Sequence, residues 1–469
     1  MTNVVAPDTG TAVDAGALRE AMTGALVTQD SADYDDVRRV WNGDVDRRPA
    51  MLARCESDAD VVAAIGFARR AGLEIAVRGG AHSVGGASTV DGGLVIDLSR
   101  MNDVQVDLER RLAKVGGGAL LRDVDAATQE YGLAFPVGAI SHTGIGGLAL
   151  GGGMGWLTRR HGLSIDNLES ARVVTADGQV LRAAADENPE LFWALRGGGG
   201  NFGVVTEFEF RLHEVGPMIQ FGMLFWELEQ GAEVLRLARD VLATLPVEFN
   251  IIFGGMNAPP APFVPEQHHL RPGYGMIVVG FGGPEAHAEL VARLSGALPP
   301  LVEFAGPMPY VALQQMMDEA SAWGRHSYEK GAYLTELTDE AIKVVTTQVP
   351  RRNSPLSMLL FYRLDGAYSE VAEDTTAFGG RRSPRFAVYV LAVCLDAATL
   401  AADRAWARAT WQALRPHAAT AGCYVNSMAE HEDDRVRAAY GGKYQRLARV
   451  KSSYDPENVF HRNMNVTPG

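Results

Sequence analysis

The sequence predicts an α+β protein built from two unlike domains. Three observations lead there. The chain's 469 residues exceed one ordinary core, at about 100–200 residues per domain. Its 52 glycines crowd into short runs between residues 79 and 203, with apolar strand-like runs between them. From about residue 216 glycine thins out, and longer alternating strands separated by amphipathic helices take over. That second texture predicts an antiparallel sheet covered on one face by helices. The boundaries that follow are 1–215, 216–415 and a C-terminal segment, 416–469.

The elements follow in order after a start expected to be mobile. SDADVVAAIGFARRAG reads as a helix: Ser57 and Asp60 have capping-box spacing, Val61, Ile65 and Ala68 share a face, and Gly72 closes it. Strands are expected at 73–77, 92–98 and 110–116, then a helix that stops at Gly132. ARVVTADGQVLRA reads as a hairpin turned at Asp177-Gly178. Asn188 and Pro189 open a short helix as cap and first residue, and FGVVTEFEFRL is a strand. The second domain offers strands at MIQFGMLFWEL, NIIFGGM, YGMIVVGF, SMLLFYRL and RFAVYVLAVCL, with helices at AEVLRLARDVLATL and AADRAWARATWQALRP. The tail, YDPENVFHRNMNVTPG, is polar, has no core of its own and must lie on something.

Composition excludes several classes. A net charge of −14 with no Lys/Arg run argues against nucleic acid or an anionic membrane as partner. The first residues have no basic and apolar export pattern, and no run approaches about 18 apolar residues. Cys55, Cys394 and Cys423 lie too far apart for a disulfide framework or zinc site. A cytoplasmic protein without a bound metal is expected.

The glycines form two main clusters, RGGAHSVGG (78–86) and GIGGLALGGGMG (144–155). Each offers backbone N–H groups with little Cβ bulk in the way, and two such nests facing each other suit a pyrophosphate. GIGGLA also matches a dinucleotide fingerprint, with Asp166 about 20 residues on. No strand leads into it, and the further glycines argue against a helix opening there, so the match is read as accidental.

The order R-G-G-x-H, D-G-G-L-V-I-D-L, S-H-T-G-I-G-G-L-x-L-G-G-G-x-G-W, G-L-x-x-D-N, L-F-W-A-L-R-G-G-G-G-N-F-G-V-V-T and Y-D-P-x-N-x-F-x-x-N-x-N covers nearly the whole chain. It resembles the FAD-linked oxidases of the vanillyl-alcohol oxidase superfamily, in the berberine-bridge-enzyme-like branch. The resemblance implies a PCMH-type FAD-binding domain of two subdomains, a substrate domain, and a C-terminal segment returning to the first. It implies that His82 carries the flavin covalently, with Arg78, Gly79, Gly80, Ala81 and Ser83 around it. Thr143, Gly146, Gly147, Leu148, Gly152, Gly153 and Gly155 match the second FAD-binding stretch. Asn167, Val205, Asn463 and Asn465 match further FAD contacts. Many relatives carry a second, cysteinyl bond. Here Ser141 takes that place, so attachment through His82 alone is implied.

His142, beside Ser141, is either a hydrogen-bond donor to substrate or reduced flavin, or a packed neutral ring. In the family an acid or glutamine stands mid-strand where this chain has Leu360 in SMLLFYRL. Tyr362 shares that face and is the candidate substitute, whereas Arg363 faces the other way. Cys423-Tyr424-Val425-Asn426-Ser427 resembles the Y-x-N-Y segment whose second tyrosine is a base in sugar oxidases; Ser427 replaces it. Tyr424 and Asn426 remain as contacts with flavin or substrate. The function implied is hydride transfer from a small apolar or aromatic secondary metabolite to FAD, with O2 as acceptor, by a monomer or homodimer. A dehydrogenase with another acceptor and a flavin carrier without turnover are the alternatives.

Overall fold

The computed structural model describes residues 3–5, 12–420, 422–430 and 433–469. Its helix Asp58–Ala71 begins where Ser57, in extended backbone, accepts the Asp60 N–H, and ends at Gly72 with φ 64°. Only half of the expected capping box forms. The Asp60 carboxylate instead accepts from Thr23 and from the Gly24 and Glu56 amides, tying the preceding segment to the helix start.

That helix packs on a four-stranded sheet in the order Ala25–Thr28, Met51–Arg54, Leu94–Asp97, Ile75–Arg78. The first pair is antiparallel and the others parallel. Residues 25–54 are therefore built into the fold rather than forming a mobile start, because Leu26, Met51 and Ala53 bury their side chains against Val61 and Ile65.

A second sheet runs Val180–Ala184, Leu168–Val174, Val204–Arg211, Leu112–Gly116, Val104–Asp107, all antiparallel. Its first hairpin turns at Asp177-Gly178, with Gly178 at φ 83°. Pro189 opens the helix Pro189–Leu195, but Asn188 does not cap it; its amide donates to the Arg182 carbonyl instead. GIGGLA does open a short helix, Ile145–Gly151, contrary to the expectation. Ile145 and Ala149 are buried in the core beside Phe135 and Leu191. That packing outweighs the glycine cost of about 1 kcal/mol per residue.

The third sheet has seven antiparallel strands: Val302–Pro309, Met218–Glu227, Pro272–Gly280, Phe249–Asn257, Met358–Leu364, Arg385–Cys394, His326–Leu334. Helices Gly231–Leu242, Pro284–Ala297, Asp339–Gln348 and Ala397–Leu414 cover one face. The pleat sends alternate residues to opposite faces. Leu359 and Phe361 pack under the helices, while Met358, Leu360 and Tyr362 face the other way, the side that packs on Trp156 and Leu157.

The chain then returns. Helices Asp433–Tyr440 and Tyr444–Tyr454 place Val436, Tyr440 and Leu447 in a core with Trp193 and Phe202. The tail beyond has no regular element, and Lys451 holds it. This fully buried lysine donates to the Asp455 carboxylate and to the Asn201 and Phe460 carbonyls. The Asn201 side chain in turn accepts from the Val466 amide. Among the described residues no helix is long and apolar enough to cross a membrane.

Candidate functional site

The two glycine clusters touch. A Cβ on Gly80 would lie 2.2 Å from the Gly144 nitrogen, and a Cβ on Gly144 would lie 2.2 Å from the Gly80 nitrogen. A Cβ on Gly146 would come within 2.9 Å of the Gly117 carbonyl, so a third glycine segment closes the contact. Only bare backbone crosses so closely. Gly147 has nothing within 4 Å of where its Cβ would be, because it faces a cavity of about 420 Å³.

That cavity runs the length of the junction between the first sheets and the third. Gly79, Gly80, Ala81, His82 and Ser83 form one wall, and Thr143, Gly146, Gly147 and Leu148 another, with Val205 between them. Asn463, Arg462 and Phe460 of the tail close one end. Leu360, Tyr362, Met358, Tyr389 and Glu329 make the roof at the other, and Tyr424 and Asn426 stand beside it.

His82 is clamped from both sides. Trp41 stacks on it with ring centroids 4.2 Å apart, and His82 Nε2 lies 3.0 Å from His142 Nδ1. Burial, with a smaller push from His142, drives the His82 pKa down to about 3, so the ring is neutral at physiological pH. Burial lowers His142 too, against the pull of Asp318. His142 thus sits behind His82 rather than on the cavity wall, and its Nε2 has no partner among the described residues. The Ser141 amide and hydroxyl both donate to Asp318, which keeps Ser141 off the wall as well.

Other expected residues also lie off the wall. The Arg78 guanidinium donates to the Val37 carbonyl. Gly152, Gly153 and Gly155 serve close packing: their Cβ atoms would strike Phe378, Ser164 and the Val137 carbonyl. Asn167 staples a turn, donating to the His161 and Leu163 carbonyls and contacting His213. Asn465 lies beyond the wall with its side-chain oxygen unpaired among the described residues. Arg363 turns to the helix face, over the Phe386 ring and onto Asp365. Ser427 points away from the cavity toward Gly331, its hydroxyl donating to the Tyr424 carbonyl.

The roof is aromatic. Tyr362 and Tyr389 meet edge to face at 5.3 Å. The Tyr424 hydroxyl accepts from the Gly153 amide and from Asn426. Burial pushes its pKa up to about 12, those hydrogen bonds opposing. Burial also raises Tyr362, with Glu329 adding to it. Glu329 itself has no hydrogen-bond or ion-pair partner among the described residues, and burial pushes its carboxyl up to about 8. Trp41, Asp318, Tyr389 and Glu329 were not singled out from the sequence. Trp41 lies in the segment expected to be mobile, and Glu329 in a strand the pattern did not reveal.

The glycine end has unmet polar groups: Ser88 Oγ, Tyr440 OH and Asn463 Oδ1 all belong to wall residues and lack partners among the described residues. Buried polar atoms are normally satisfied, so these fit a polar ligand. A wider groove of about 1040 Å³ runs outside, beside the helix Asp58–Ala71, lined by Arg69, Arg70 and Glu457. It holds none of the residues above.

Comparison with known proteins now decides the family. Residues 49–184 match the FAD binding domain family and residues 423–467 the berberine and berberine-like family. The (R)-6-hydroxynicotine oxidase of Paenarthrobacter nicotinovorans is 31% identical, over 96% of this chain and 97% of its own. The chain belongs to the berberine-like FAD-linked oxidoreductases. The crystal structure of 6-hydroxy-D-nicotine oxidase from Arthrobacter nicotinovorans superposes with TM-score 0.85 at 29% identity, covering 96% of this chain and 98% of that one. Glucooligosaccharide oxidase from Acremonium strictum shares the fold, with TM-score 0.85 at 24% identity over 97% and 99%. This berberine-like oxidoreductase is an FAD-dependent enzyme, and both matched stretches line the cavity: His82 and Gly147 from the first, Tyr424 and Asn463 from the second.

Proposed function

We propose that the protein is an oxidase that takes electrons from a small, apolar, aromatic metabolite into an FAD attached through His82 alone, and passes them to O2. One observation carries this reading. A single imidazole stands where a wall of bare glycine backbone meets an apolar, tyrosine-bearing sheet face, and no cysteine lies on the cavity wall. Cys423 is buried behind the roof against Arg435, and Cys55 and Cys394 are buried elsewhere. In glucooligosaccharide oxidase the FAD is 6-S-cysteinyl, 8α-N1-histidyl. Here Ser141 stands at the position that resembles the cysteine, and its hydroxyl is held by Asp318.

In this reading Gly79, Gly80, Gly146 and Gly147 cradle the pyrophosphate, with Asn463 and Tyr440 offering the unmet polar groups to the nucleotide. His82 is kept neutral, so a nitrogen lone pair is available for the covalent bond. The Nε2 contact with His142 leaves Nδ1 as the bonding atom, and Trp41 fixes the ring plane. When bound, FAD accepts a hydride equivalent from substrate. The chain's own part is to bind and orient: Met358, Leu360 and Leu391 exclude water and select an apolar body, while Tyr362 and Tyr424 offer hydroxyls.

The test is acid precipitation followed by absorption and intact mass. The native protein should keep one FAD's mass and its yellow colour; His82→Ala should lose both and Ser141→Ala should keep them. A colourless native pellet would overturn covalent attachment. Oxygen as acceptor is tested by reducing the flavin with dithionite and admitting air: reoxidation within seconds supports an oxidase, and reoxidation over many minutes overturns it.

A further inference from the structure

Asp125 is a carboxyl with nothing to neutralise it. It lies in the middle of helix Leu121–Gln129, 2% exposed, where that helix packs on helix Tyr310–Gln315 of the second half of the chain. Among the described residues it forms no ion pair, and its one side-chain hydrogen bond comes from Gln314 Nε2, 3.1 Å from Oδ2. The same Gln314 nitrogen donates to the Gly138 carbonyl of a wall residue, also at 3.1 Å. Gln314 Oε1 has no partner among the described residues. Tyr310 is the titratable group that faces Asp125 from the opposing helix, and burial keeps it neutral. On the helix of Asp125 itself, Arg122 and Asp123 are part-exposed and lie beside each other. Two strands pack on that helix as well. Leu133–Ala134 carries no charge, and in Val104–Asp107 the Asp107 side chain is exposed and accepts the Arg110 amide. None of these groups brings a positive charge to Asp125.

Burial without a cation favours the uncharged acid. It pushes the Asp125 carboxyl up to about 7 from its ordinary 3.8, with the Gln314 hydrogen bond opposing. The protonated form also brings an O–H to a seam where the Gln314 oxygen lacks a donor. Helix Tyr310–Gln315 runs straight into residues 316–321, which lie on the His82 side of the cavity, with Met317, Ala320 and Ser321 on its wall. Asp318 accepts from the Ser141 amide and hydroxyl. The Ser321 carbonyl accepts the indole N–H of Trp41, the ring stacked on His82. We propose that Asp125 and Gln314 form a proton-operated latch: the neutral carboxyl seats helix Tyr310–Gln315 and residues 316–321 against the cavity, and the ionised one loosens them. The latch governs access to the cavity, and it stands whether or not the flavin is covalent or its electrons go to O2. Ionisation breaks the carboxyl O–H bond and sends the proton to solvent as the seam opens, with no redox change.

In the open form Asp125 meets water and ionises near 3.8; in the seated form it keeps its proton up to about 7. Opening is therefore favoured as pH rises from about 4 to about 7, and levels off above that. Between pH 5 and pH 8 the opening equilibrium should grow about a hundredfold. Hydrogen–deuterium exchange of the flavin-loaded protein reads it in peptides from residues 310–325, corrected for intrinsic exchange at each pH. The core strand Arg385–Cys394 is the reference. Asp125→Asn keeps the shape and stays neutral, so residues 310–325 should hold their pH 5 protection throughout, with flavin content unchanged and melting temperature no lower. Gln314→Met removes the partner, and the same residues should exchange faster at pH 5 as well. Native exchange that is flat from pH 5 to pH 8 would overturn the latch, whatever the variants do. So would a rise that Asp125→Asn leaves in place, or one shared by residues 385–394, since the proton would then belong to the whole fold.

Discussion

Replacing Gly80 with alanine tests whether the crossing of the glycine clusters fixes the cavity. The new Cβ would stand 2.2 Å from the Gly144 nitrogen and 2.5 Å from its Cα, where ordinary contact begins at 3.4 Å. The segments must part by about 1.2 Å, and both are tethered. Ala81 and Arg78 accept from the amides of Trp41 and Leu98; on the other side Thr143 and Ile145 are bonded to Leu121 and Ala119. Parting them costs some of these bonds, at about 1 kcal/mol each, on top of overpacking, so about 3 kcal/mol is expected. At roughly 2.1 cal/mol/K per residue the unfolding entropy of 469 residues is about 1 kcal/mol/K, so Tm should fall by about 3 °C. Gly147→Ala is the matched control: its Cβ meets nothing, and in a helix alanine gains up to about 1 kcal/mol. It should leave Tm unchanged or raise it by about 1 °C, yet lower flavin content because it fills the cavity wall. Tm by differential scanning fluorimetry and acid-precipitated flavin give both numbers. Full flavin and native Tm in Gly80→Ala would refute the argument, because the segments would then be free to separate.

Three further outcomes are expected. Lys451→Met should destabilise the protein by about 3–5 kcal/mol in urea unfolding, since it strands the buried Asp455 carboxylate; a loss under 1 kcal/mol would show that the tail is held otherwise. Trp41→Ala should slow covalent flavin incorporation into apoprotein without changing the final Tm by more than a few degrees, because it removes the stacked partner of His82; an unchanged incorporation rate counts against the clamp. Although burial opposes it, Lys330 and Arg408 hold the Glu430 carboxyl down to about 2, below its ordinary 4.5. Its contribution is therefore complete above pH 4.5 and lost as pH falls through about 2. Acid unfolding curves of native and Glu430→Gln protein should converge across that window, and parallel curves would contradict the assignment.

The sheet of seven strands shows what pattern could and could not reveal. Its five central strands were legible because both faces are buried, which leaves long apolar runs such as MLLFYRL and FAVYVLAVC. The two that escaped, Val302–Pro309 and His326–Leu334, are the edges. Edge positions tolerate proline, and Pro307 and Pro309 broke the first pattern. In the second, the adjacent charges Glu329 and Lys330 interrupt the apolar run, yet one lines the cavity and the other is buried on Glu430. The roof carboxylate was hidden for that reason. The glycine clusters were legible because bare backbone has few uses besides close approach. Which glycines face the cavity and which merely pack was not, since that depends on distant residues: Ser164 crowds Gly153, and nothing crowds Gly147.

The tail's anchoring also sets an order of events. Arg462 bonds Glu74 across 388 positions and Val466 bonds Asn201 across 265. On the ribosome, both sheets of the first half can form long before residues 462–466 are synthesised. Enclosure of the glycine end of the cavity therefore has to wait for residues 462–466, and these long closures are entropically expensive contacts of the fold. A chain folded in most of its sheets is therefore still open at that end until residues 462–466 dock.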